Sequence, residues 1–87
     1  MEQRGRPLLT LVEMETGQIG TVVEVLGGGR LARRLDGLGI RPGRKVRKTS
    51  ATLFRGPVML RVGGTQVALG FGMAKKILVE LDRRLPH

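Results

Sequence analysis

Eight cationic side chains, Arg30, Arg33, Arg34, Arg41, Arg44, Lys45, Arg47 and Lys48, lie between positions 30 and 48, with Asp36 the one carboxylate among them. Guanidinium forks and ammonium groups at that density hold carboxylates or phosphates. The plainer alternative is a solvated face, with Arg33 and Asp36 as an i,i+3 pair worth a few tenths of a kcal/mol. The charge density exceeds what solubility requires. The spacing therefore predicts a basic patch facing an acidic partner, with Arg30, Arg33, Arg34, Arg41 and Arg44 as its contacts. Leu53 and Phe54, an apolar pair in a loop expected over residues 50–57, add a docking element. Val12, Met14, Met59 and Phe71 are further apolar residues at expected loop or outward positions.

Other chemistries find less support. Small barrels hold single-stranded nucleic acid with cationic grooves and aromatic stacking platforms. This chain has Phe54 and Phe71 and no Trp or Tyr, so specific nucleic-acid binding is not expected, though weak, salt-sensitive binding stays open. The same shortage argues against an aromatic groove for proline-rich peptides. Metal ligands would have to come from Glu13, Glu15, Asp36, Glu80 or Asp82, because the single histidine is His87 and cysteine is absent. Two carboxylates on one strand do not make a site, and Met14, Met59 and Met73 read as gap-fillers or surface contacts. No metal and no cofactor is expected. Catalysis lacks a nucleophile with a base beside it. Gly27-Gly28-Gly29 lacks the Gly-Lys-Ser/Thr ending of a phosphate loop. The chain is read as a binding module and not an enzyme.

The elements that must position these residues read as follows. Leu31, Leu35 and Leu38 fall at i, i+4 and i+7, one face of a short helix inside the stretch Gly27–Gly43. Gly39 suits the left-handed position that closes a helix, and Pro42-Gly43 turns the chain. Leu8–Met14 is strand-like but apolar on both faces, so its register is ambiguous. Thr21–Leu26 is dense in valine and reads as a strand; Arg44–Thr49 reads as a basic strand with Val46 inward. Val58, Leu60 and Val62 alternate cleanly, Gly63-Gly64 signals a two-residue hairpin, and Thr65–Leu69 returns with Val67 and Leu69 inward. A helical turn around Met73–Lys76 precedes a last strand, Ile77–Leu81. A sheet of this size buries one face by curling on itself. The expected architecture is mainly all-β: a small, partly open barrel of five to six strands with one short inserted helix.

The 87 residues form one domain, expected over 8–81, with flexible tails at 1–7 and 83–87. The net charge of +9 attracts polyanions or acidic protein faces. No apolar run approaches the roughly 20 residues that span a bilayer, and no apolar core follows the N-terminal charges. A cytoplasmic location is expected.

The ordered set Gly17-x-x-Gly20, Gly27-Gly28, Arg34-Leu35, Leu38-Gly39-Ile40, Pro42-Gly43, Gly56-Pro57-Val58, Gly64, Val67-Ala68-Leu69, Ala74 and Ile77 resembles the FeoA family of ferrous iron transport. The family often has methionine where this chain has Leu38, a volume-conserving difference. The resemblance implies an SH3-like barrel. It implies an accessory protein of iron uptake that docks on the cytoplasmic G-protein part of a FeoB-like membrane GTPase-permease. The same domain type is also fused to metal-responsive repressors, so the alternative is a basic nucleic-acid-binding or metalloregulator-type domain. No DNA-binding segment precedes it here, and the stand-alone role is favoured.

Overall fold

The computed structural model describes residues 7–51 and 55–82. Six strands and two short helices run in the order β1 (Leu8–Thr10), β2 (Ile19–Val25), α1 (Gly29–Asp36), β3 (Lys45–Ala51), β4 (Val58–Val62), β5 (Thr65–Leu69), α2 (Phe71–Ala74) and β6 (Ile77–Leu81). The strands form one antiparallel sheet in the order β1-β6-β2-β3-β4-β5. Val22, Val46, Leu60, Leu69, Ile77 and Val79 come from five of these strands yet share one buried cluster with Leu35 of α1. The sheet thus curls around a common core without closing. That is the partly open, mainly all-β barrel with one inserted helix that the sequence predicts.

The second half follows its alternation. Val58, Leu60 and Val62 face inward against Val67 and Leu69. Gly63 and Gly64, at φ 56° and 88°, make the two-residue turn between them. Positive φ at both positions is the type I′ geometry, which matches the strand twist.

α1 ends as its glycine indicates. Gly39, at φ 86°, donates to Asp36 O, and Ile40 N donates to Leu35 O, both at 2.9 Å. This is a Schellman closure, and its two flanking side chains, Leu35 and Ile40, are fully buried. Pro42 and Gly43 then form a type II turn, with Arg44 N donating to Arg41 O at 3.0 Å and Gly43 at φ 92°.

The early elements differ from expectation. The first strand stops at Thr10, not Met14. Thr10 and Glu13 form a capping box: Thr10 N donates to Glu13 Oε1 at 2.8 Å, and Glu13 N to Thr10 Oγ1 at 3.3 Å. The resulting turn carries Leu11 and Met14 into the core. Leu38 is 43% exposed, because the helix has already ended, and Leu31 is only half-buried. β3 continues through Ala51, into what the sequence reads as loop, by pairing Ser50 with Met59 and Ala51 with Val58. The helical turn near the end is Phe71–Ala74, two residues earlier than expected.

Candidate functional site

α1 leaves β2 through Gly27 and Gly28, at φ 104° and 92°. Leu35 anchors the helix, and Arg30, Arg33 and Arg34, at i, i+3 and i+4, stand exposed beside one another. Arg33 and Arg34 occupy the last turn, where the helix dipole favours cations.

Beside them lies a groove of about 430 Å³, lined by Val23, Glu24, Val25, Ala32, Arg33, Asp36, Ile40, Arg41 and Pro42. A β-bulge shapes one wall. Val22 pairs with Val79 and Glu24 with Leu78, leaving Val23 as the extra residue. A bulge re-aims the side chains around it, and Val23 is 43% exposed. The groove therefore has an apolar floor and a charged rim. On that rim Arg41 Nη1 meets Asp36 Oδ1 at 3.1 Å, so Asp36 pairs with Arg41 and not with Arg33.

The other expected contacts separate. Arg44 is half-buried and reaches the hairpin, where its Nη2 occupies the space a Cβ on Gly63 would need. It lines a different groove, with Leu38, Gly39, Val62, Gly63 and residues 65–68. Lys45 is held at 2.6 Å by Asp82 Oδ2. Leu53 and Phe54 lie outside the described residues. The described phenylalanine, Phe71, is flanked by Arg55 and Lys75, 5.7 and 6.0 Å from its ring centre.

Lys48 leaves the patch altogether. It is 4% exposed. Its Nζ donates to the carbonyls of Leu11 and Val12, each at 3.0 Å, and to that of Met14. These carbonyls belong to the turn that the capping box starts, and a cation beside such orphan carbonyls is the favourable arrangement. Burial lowers the Lys48 pKa below the usual 10.5. Met14, expected at the surface, is buried beneath the same turn.

Among the described residues no three His, Cys, Asp or Glu side chains converge as a metal site, and no helix is long and apolar enough to cross a membrane. Two features escaped the sequence reading. Val23 carried no signal, since a bulge is set by register with a distant strand. Lys48 carried one, its parity with inward Val46.

The model of the FeoA domain matches residues 9–81. Among solved structures, an iron uptake regulatory protein, FeoA, is 32% identical with a TM-score of 0.79, over 86% of this chain and 97% of that one. A zinc-complexed FeoA of Stenotrophomonas maltophilia, a procaryotic SH3-domain protein, is 31% identical with a TM-score of 0.71, over 88% of this chain and 99% of that one. A manganese-dependent transcriptional repressor reaches a TM-score of 0.79 at 23% identity, over 90% of this chain and 44% of that one, a likeness of fold alone. No curated protein matches.

Proposed function

This chain belongs to the FeoA family, and we propose that it is an accessory protein that docks on the cytoplasmic G-protein part of a FeoB-type ferrous iron transporter and modulates uptake. A cytoplasmic location goes with that role. The observation that carries the reading is the groove beside α1: an exposed valine on an apolar floor, rimmed by Arg33, Glu24 and the Asp36–Arg41 pair, with Arg30 and Arg34 exposed on the same helix. Apolar contact supplies affinity, and the charged rim supplies orientation and encounter rate. Arg30, Arg33 and Arg34 are the proposed electrostatic contacts. Arg41 acts as part of the rim pair with Asp36.

Calorimetric titration of this protein into the isolated cytoplasmic domain of its cognate transporter, with and without guanine nucleotide, tests the reading. Saturable binding at physiological salt is expected. A nucleotide-dependent change in affinity would tie docking to the GTPase cycle. Absence of binding to both that domain and the intact transporter would overturn it.

A further inference from the structure

Arg47 of β3 and Arg61 of β4 stand directly opposite each other, both exposed on the outer face of the sheet. Like charges at directly opposed positions destabilise a sheet. The row they occupy runs Ile19, Arg47, Arg61, Gln66 across β2 to β5. Among the described residues, Arg61 Nη1 donates to the turn carbonyl of Gly64, at 3.3 Å. Gln66 Nε2 is turned to Thr49 Oγ1 at 3.1 Å. The acids of this face gather at its β6 side. Glu80 lies opposite Thr21, and Asp82, whose N–H donates to Ile19 O, is taken up by Lys45. Among the described residues, the β3–β4 part of the face is left cationic.

We propose that the Arg47–Arg61 row is a second docking surface, separate from the groove beside α1, and that its partner is an acidic protein segment. Two guanidinium forks on neighbouring strands match carboxylates by charge and by bidentate geometry. Half-buried Ile19 stands at the β2 end of the row and half-buried Met59 lies two positions before Arg61 on β4, so apolar side chains between those carboxylates also find contact. No aromatic ring lies in the row for a base to stack on, which favours protein over nucleic acid. The surface goes beyond the docking proposed above and does not depend on it.

The test is an NMR titration of the full chain, isotope-labelled, with an oligoglutamate peptide, and separately with an oligothymidylate of equal charge. Saturable amide shifts are expected at Met59, Arg61, Gln66 and Arg47. Arg47→Gln with Arg61→Gln should weaken peptide binding about fivefold, with a melting temperature equal to or above that of the parent because the repulsion is gone. Lys75→Gln with Lys76→Gln, two exposed cations after α2 that belong to neither surface, should leave peptide affinity unchanged. Peptide shifts confined to α1, or no saturable shift, would overturn the proposal. So would tighter binding of the oligothymidylate through the same two arginines, which would assign the row to nucleic acid.

Discussion

The Nζ of Lys48 lies 3.0 Å from the carbonyl oxygen of Leu11, across 37 positions of chain. It ties the inner face of β3 to the turn that follows β1, and it does so inside the core. Replacing Lys48 by Met keeps the length and removes the donor, which leaves the carbonyls of Leu11, Val12 and Met14 without it. Orphaned buried acceptors are costly, and a loss of about 2–4 kcal/mol in denaturant unfolding is expected. An unchanged midpoint would mean that water replaces the ammonium.

The same residue gives the fold a pH dependence. Burial places the folded pKa of Lys48 below its unfolded value, so the unfolded chain binds the proton more tightly. The contribution of Lys48, measured against Lys48→Met, is therefore fullest above pH 10.5 and is lost as pH falls through the lower folded pKa. The stability difference between the two proteins should therefore change in favour of the parent as pH rises through the alkaline range; a flat difference would place the lysine in a water-exposed site, and the opposite slope would mean that the three carbonyls hold the ammonium more strongly than burial opposes it.

α1 offers a paired test of packing. Leu35→Ala should cost about 2–5 kcal/mol, because Leu35 is fully buried. Leu38→Ala should stay within about 0.5 kcal/mol, because Leu38 follows the helix end and faces solvent. Thermal melts that rank the two equally would mean the helix continues past Asp36.

Gly39→Ala should cost about 1 kcal/mol. Its added Cβ meets Val62 Cγ1 at an ordinary 3.5 Å, so the expense is the backbone at φ 86° and not a clash. Gly39→Asn, which tolerates that conformation better, should recover part of the loss in the same melt.

Docking should respond to surface substitutions without a change in folding. Arg33→Glu with Arg34→Glu should weaken binding to the transporter domain about tenfold. Val23→Asp should do the same by charging the groove floor. Arg44 is a poor choice for this set, since its guanidinium rests against Gly63 and its replacement disturbs the hairpin. Affinity that is unmoved by all three changes would take the groove out of the interface.

What could be read from the residues follows the range of the forces involved. β4, β5 and β6 were legible because strict alternation and a Gly-Gly turn are local properties. The Schellman closure at Gly39 was legible for the same reason. Counting Leu38 onto the helix face failed because the chain tightens after Asp36, where Leu38 N donates to Leu35 O only three positions back. The turn after β1 was present as Thr10-x-x-Glu13, but apolar residues on both sides masked it. Lys48 needed knowledge of which carbonyls would lie opposite, and those come from a turn 34–37 positions earlier. At the candidate site, the arginines of α1 could be read from spacing. The valine beside them could not, because the bulge that exposes it depends on β6.

β1 and β6 are neighbours, with Leu8 opposite Glu80, so the domain's two ends leave the sheet side by side. Such a unit can be spliced into a surface loop of another protein without stretching either junction, and it can be joined end to end and cut open elsewhere. Opening it between Gly63 and Gly64 would break no strand register, only the turn linking β4 to β5. In engineering terms the fold is a cassette: its cationic surfaces can be carried to a new host, or its chain order permuted, with the core unchanged.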